Sequence, residues 1–188
     1  MALSLVTIMG QDGPGGVYLL RIQVVKSASI RFGQYRLGGL LEVEVRAGEY
    51  VYVGSAQGQQ GSTTLAGRLL RHTARTASKP PHLIQSMLTD RLQSEGLEGA
   101  KPKGKSMHWH VDYLLDLETV EISHVIAFRS KAKIEARLAA MIEAMPETIV
   151  FAPGLGASDQ AGSAHLLRVE ADEKWWNYVA DLLVKELV

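Results

Sequence analysis

Cysteine is absent from all 188 residues. That excludes a disulfide framework, thiolate metal sites and a cysteine nucleophile, and it fits a reducing compartment. No apolar run approaches the roughly 18 to 20 residues that span a bilayer, so no membrane segment is expected. The opening MALSLVTIMGQDGPG has no basic stretch ahead of its short apolar run, so it does not read as a signal peptide and a cytoplasmic location is expected. Net charge is lacking as well: twenty basic residues balance twenty acidic ones, which argues against an overall basic nucleic-acid coat protein. Neither a repeat of solenoid period nor a low-complexity tract is present.

One further absence is local. No acid occurs between Glu49 and Asp90, and Arg68, Arg71, Arg75 and Lys79 fall inside that gap. A neutral chain with one basic face can bind phosphates with an affinity that falls with salt, so Arg71, Arg75 and Lys79 are candidate nucleic-acid contacts. Lys101, Lys103 and Lys105 form a second basic run, in a glycine- and lysine-rich stretch that reads as solvated surface.

What is present suffices for one domain spanning 1–188: hydrophobic residues make up 46% and charged residues 21%, close to globular averages. Residues 17–25, 39–46 and 49–54 read as strands, the second with Val43 and Val45 on one face and Glu42 and Glu44 on the other. Their short connections suggest an antiparallel meander. Residues 26–38 between the first two imply an extra strand or a long turn. Helical spacing follows over 63–77, with Leu65 and Leu69 inward, and over 82–95, with Leu83, Met87, Leu88 and Leu92. The pattern over 131–145 is the clearest, with Ile134, Leu138, Met141, Ile142 and Met145 in one stripe before Pro146. Residues 107–117 fit a helix or a strand. Residues 122–128 and 164–170 read as strands, and 172–187 as a closing helix with Trp175 inward. The expected fold class is α/β (α+β): a small, mostly antiparallel sheet flanked by helices.

Gly16-Val17-Tyr18 opens the first strand and Tyr52-Val53-Gly54 ends the third. Arg68 and His72 follow four apart on one helix face, and Glu135 lies on the clearest helix. This order resembles the GIY-YIG nuclease superfamily over roughly residues 14–145, with 146–188 as an extension. Four ordered segments narrow the resemblance to an archaeal-type branch sometimes fused to endonuclease III: Tyr52 to Ala56, Arg68 to His72, His108 to Leu115, and Gly154 to Leu166. The resemblance implies a DNA endonuclease of structure-selective or repair type, with RNA as a second substrate class, using Mg²⁺ or Mn²⁺. Carried over, Glu135 would hold the metal and Arg68 would stabilise charge on the phosphate. Tyr18 would help activate water, Tyr52 would orient water or phosphate, and His72 would assist with a phosphate or a proton.

Two other readings stand beside it. A non-catalytic nucleic-acid-binding module could keep the same fold. Alternatively, His108, His110 and Asp112 would share a face if they lay in a strand, and could then ligate a transition metal in a metal hydrolase. Ser158, Asp159 and His165 could converge on that cluster. The reading preferred for these six residues is a polar network lining the same cleft as Tyr18 and Arg68. The glycine loop at 154–159 lacks the Lys-Ser/Thr of a phosphate-binding P-loop.

Overall fold

A computed structural model describes residues 4–11, 13–35, 39–98, 104–152, 155 and 164–186. In chain order the strands are β1 (Val6–Met9), β2 (Gly16–Val24), β3 (Ala28–Tyr35), β4 (Gly39–Val45), β5 (Gly48–Ala56), β6 (Val120–Arg129), β7 (Thr148–Ile149) and β8 (Leu166–Val169). The helices are α1 (Leu65–His72), α2 (Gln85–Ser94), α3 (His110–Leu115), α4 (Glu135–Glu143) and α5 (Glu173–Lys185). Six strands form one sheet in the order β1-β6-β2-β5-β8-β7, and β3 and β4 form a separate two-stranded ribbon. All pairings in the large sheet are antiparallel except β1 with β6. The architecture is therefore the expected mixed α/β class. Among the described residues no helix is long and apolar enough to cross a membrane.

The near-continuous apolar run of β2 follows from its central position, because helices cover the sheet on both sides. Tyr18, Leu20 and Ile22 of β2 join Tyr50 and Tyr52 of β5 in one core with α1, α2 and α3. Val17, Leu19, Val51 and Val53 point the other way and join a second core with α4 and α5. The stripe expected on α4 is realised: Leu138 and Ile142 are buried, with Ile134, Met141 and Met145 packed beside them. α5 is capped by Asp172, which accepts from the Lys174 and Trp175 amides at 2.9 and 3.2 Å. Both Trp175 and Trp176 are buried.

Four expectations need correction. The first three strands form no meander. β5 pairs directly with β2, while β4 pairs with the strand formed by the intervening segment. That ribbon leans on α3: Phe32 stacks edge-on against His110 and Tyr113, at centroid distances of 6.3 and 6.2 Å. The helix expected to reach residue 77 ends at His72. Asp116 captures the chain beyond it, accepting from the Thr76 amide at 2.6 Å and the Thr76 hydroxyl at 2.8 Å, so tertiary bonds override helix propensity. The helix expected from residue 82 starts at Gln85, so Leu83 lies ahead of it and is 86% exposed, while α2 buries Leu88 and Leu92 and leaves Met87 47% exposed. Finally, the N-terminal apolar run was not read as a strand, and it forms β1. Four residues are too few to show a period.

Candidate active site

Tyr18 lies on β2, opposite Gly54 of β5. A side chain at position 54 would place its Cβ 2.5 Å from both Cζ and Oη of Tyr18, so only glycine lets the phenol cross β5. This is the physical reason for the glycine after Tyr52-Val53. Across β5 the phenol meets α1, whose N-terminus is fixed by the Thr64 side chain accepting from the Gly67 amide at 3.1 Å. Tyr18 Oη lies 2.8 Å from His72 Nε2 in a fully buried contact. The Tyr52 ring stands 6.2 Å from Tyr18 and 5.7 Å from His72, centroid to centroid.

α3 supplies the opposite wall. The stretch with His-x-His-x-Asp spacing starts a helix rather than a strand, so its three side chains diverge. His108 is exposed, His110 is buried against Phe32, and Asp112 is wholly buried facing α1. Both Asp112 oxygens are engaged. Arg71 donates to each, at 3.0 and 2.9 Å, and the backbone amides of His108 and Trp109 donate to Oδ2 at 3.0 and 2.9 Å. Lys105 Nζ lies 3.6 Å from Oδ1. Among the described residues no group of three or more histidines and carboxylates could hold a metal ion. The transition-metal reading of His108, His110 and Asp112 is therefore set aside: the strand geometry it required is not formed.

Lys105 is a second correction. Its side chain is buried, and its ammonium donates to the Ala74 carbonyl at 2.9 Å, so it is not a solvated lysine. The arginines expected as phosphate contacts are also engaged internally. Arg71 is spent on Asp112. Arg75 is buried, bonded to the Pro80 and Val120 carbonyls and paired with Glu121 at 2.8 Å. Lys79 pairs with Asp116 at 2.5 Å. The basic stripe of the sequence is thus a set of bolts between α1 and the α3–β6 region.

Arg68 differs from all of these. Its guanidinium carbon lies 3.8 Å from the centre of the Trp109 ring, and Arg71 stacks on the same ring at 4.3 Å. Arg68 Nε is buried without a hydrogen-bond partner, and no carboxylate among the described residues lies at ion-pair distance from this arginine.

Glu135 and His165 approach from the other face of the sheet. Ser55 pairs in register with Val17, on the face of the second core, and its hydroxyl donates to Glu135 Oε2. His165 Nδ1 lies 3.1 Å from Glu135 Oε1. β5 therefore stands between this carboxylate and the tyrosines, although their charges still interact. Burial raises both phenols above the usual tyrosine range, and Glu135 adds to that while Arg68 opposes it. Burial would raise Glu135 too, but the bonds from His165 and Ser55 and the charge of Arg68 hold it below the usual carboxylate range. His72 is pushed down to about 4, by burial first and by Lys105 and Arg68 against the pull of Asp112, so its imidazole is neutral. Lys105 is lowered to about 8 by burial, which Asp112 only partly offsets. Burial pushes Asp112 up, yet His72, Lys105 and Arg71 hold it far below the ordinary range.

Tyr18, Tyr52, Arg68 and His72 are thus one cluster. His165 joins Glu135 on the other side of β5, Asp112 braces the cluster, and His108 stays outside. Ser158 and Asp159 lie outside the described residues. Sequence reasoning missed Gly54 as the slot for a phenol, Trp109 as the seat of Arg68, and Lys105 as a buried cation. Gly54 carried a signal as the last residue of Tyr52-Val53-Gly54, and Trp109 as the residue ahead of a segment of helical length.

Comparison with curated proteins gives no match, and comparison with solved structures gives none. One family model, a domain of unknown function designated DUF123, matches residues 17–187, which is nearly the whole chain, and the chain belongs to that family.

Proposed function

We propose that this cluster hydrolyses phosphodiester bonds in DNA, as a structure-selective or repair-type endonuclease working with Mg²⁺ or Mn²⁺ in the cytoplasm. The observation that carries the reading is Arg68. The neighbouring cations Arg71, Arg75 and Lys79 each have an acid partner. Arg68 is instead held in place by an aromatic face, which fixes its position without neutralising its charge. A guanidinium kept ready beside a tyrosine–histidine pair suits an anionic, phosphate-like transition state.

The donor chemistry fits a hard divalent cation. Mg²⁺ needs only one or two carboxylates and keeps most of its waters. Glu135 is an ionised carboxylate, 30% exposed, whose orientation Ser55 and His165 set. When bound, such an ion neutralises charge on the phosphate and polarises water. The chain's own groups do the rest. Arg68 binds and polarises the phosphate, neutral His72 accepts the Tyr18 proton, and Tyr52 encloses them.

The test is cleavage of labelled single-stranded, duplex, flap and branched DNAs with Mg²⁺, Mn²⁺ or EDTA. Arg68→Ala is expected to lower kcat by roughly 10²–10³-fold or more, and Glu135→Gln to remove the metal dependence. Metal-dependent cutting that survives both changes would sink the reading. One observation favours a second reading, a binding module without turnover: Tyr18 and His72 are wholly buried. It predicts salt-sensitive DNA binding, weakened by Arg68→Ala, with no cutting of any substrate.

A further inference from the structure

One nitrogen of His72 is accounted for by Tyr18; the other is not. Nδ1 is buried with no hydrogen-bond partner, and Asp112 Oδ1 lies 3.7 Å away. We propose that Asp112 is a positioning residue for hydrolysis: its carboxylate keeps the His72 proton on Nδ1, so that Nε2 turns a lone pair toward the Tyr18 hydroxyl. This rests on the hydrolase reading and adds to it a residue that touches neither phosphate nor metal.

The carboxylate cannot swing away from His72. Arg71 grips both oxygens, the His108 and Trp109 amides hold Oδ2, and Lys105 stands beside Oδ1. Arg71 is itself held on the Trp109 ring, and the β3–β4 ribbon braces α3 from behind. With Asp112 ionised, a proton on Nδ1 faces an acceptor. A proton on Nε2 would leave two lone pairs facing each other in a buried space, which is costly. The gap of 3.7 Å is slightly beyond hydrogen-bond length, and such contacts often tighten only when substrate binds.

The groups facing His72 are Tyr18 on β2, Tyr52 on β5, Trp109 and Asp112 on α3, Lys105 ahead of α3, and Arg68 on its own helix. Asp112 is the one anion among them. It therefore selects the tautomer, while burial, helped by Lys105 and Arg68, keeps the resting ring neutral. In the reaction the Tyr18 proton moves to Nε2 in the same step in which Oη takes a proton from water and the water oxygen bonds to phosphorus, so no free phenolate forms in a site where burial disfavours one. The departing oxygen leaves with its bonding pair and is protonated from solvent, and the His72 imidazolium gives its Nε2 proton back to solvent, which restores the neutral ring. The transient imidazolium lies between the Asp112 carboxylate and Tyr18.

The ring nitrogens can be read directly by long-range proton–nitrogen correlation on histidine-labelled wild-type protein at neutral pH. His72 is expected with its proton on Nδ1 and a bare Nε2. Asp112→Asn keeps an oxygen for the two backbone amides but offers N–H to Nδ1. It is expected to move the proton to Nε2 and to lower kcat by roughly 10³–10⁴-fold with KM little changed. Three results would overturn the positioning role: a wild-type ring protonated on Nε2, a variant with a flipped ring and full kcat, or a variant with lost kcat and an unflipped ring. Wild-type protein that cuts nothing overturns the hydrolase reading and the positioning role together. Should Asp112→Asn not fold, the wild-type tautomer still decides.

Discussion

On each face of the sheet an arginine lies against a tryptophan, Arg21 on one and Arg68 on the other, and these two are treated in opposite ways. On the face shared with α4 and α5, Arg21 lies 4.7 Å from the Trp176 ring centre. It bonds to Glu49 at 2.9 and 2.7 Å and to Glu173 at 3.0 and 2.7 Å, and Trp176 donates to the same Glu49 at 2.9 Å. Its charge is fully met, which is how a buried cation is kept for stability. On the face shared with α1 and α3, Arg68 has the tryptophan and no acid at ion-pair distance among the described residues. Around it stand a neutral histidine, two phenols raised by burial and a braced aspartate. Stacking geometry alone would class the two arginines together; the partner count separates a cation met by two acids from one that has none at ion-pair distance among the described residues.

Acid should break this comparison most visibly. His72 is neutral in the folded protein down to about pH 4, whereas an unfolded histidine titrates near 6.5. Between those values the unfolded state binds a proton that the folded state refuses. Stability is therefore complete above pH ~6.5 and falls as pH drops through the window, by ~3 kcal/mol for this one wholly buried group. His82, also pushed down to about 4 by burial and by Arg75, acts in the same direction. Guanidinium unfolding from pH 7 to 4 should show the loss in wild type and a shallower slope in His72→Gln. Equal slopes would assign the proton uptake to other groups.

Gly54→Ala sharpens the contrast at the point where a phenol crosses a strand. Its Cβ would sit 2.5 Å from the Tyr18 ring and hydroxyl, and the phenol is tied to His72 on the far side. Either that bond or the β2–β5 register has to yield, at a cost of ~1–3 kcal/mol. Cleavage should fall by roughly 10²-fold, because reacting groups tolerate little misplacement. Melting and cleavage assays check both arms. In a Tyr18→Leu background the stability cost of Gly54→Ala should shrink, and a cost that persists there would mean that the phenol is not the obstacle.

The sequence carried the fold class, the central strands and the α4 stripe, because period is a local property; Tyr18, Tyr52, Arg68 and His72 are marked only by the family resemblance of their ordered segments, and the structure brings the four together. The sequence did not carry the meander's true pairing, since Val43 and Val45 alternate in the same way whether β4 joins the large sheet or the ribbon. Nor did it carry the fate of the basic stripe. Arg75 and Lys79 look like surface cations until Glu121 and Asp116, some forty residues on, fold against them. The His108–Asp112 spacing suited a metal only in a strand, and the short helix that formed turned the three side chains apart. Long-range partners decided each of these, and no window of the sequence holds them.

The smallest expected effect belongs to the second face. Glu173 is one of the two acids on Arg21, and its side chain is 65% exposed. Replacing it by glutamine removes a charge that water already screens and leaves Glu49, which is 23% exposed and bonded to both Arg21 and Trp176, to hold the arginine. The loss should be below ~1 kcal/mol, as for exposed ion pairs in general, and smaller still at high salt. Glu173 bonds to Arg21 and touches neither Tyr18 nor His72, so DNA cleavage by Glu173→Gln should match wild type under every metal condition. A variant that melts normally but cuts poorly would show the two faces to be coupled through β2, and the division of labour between the arginines would then fail.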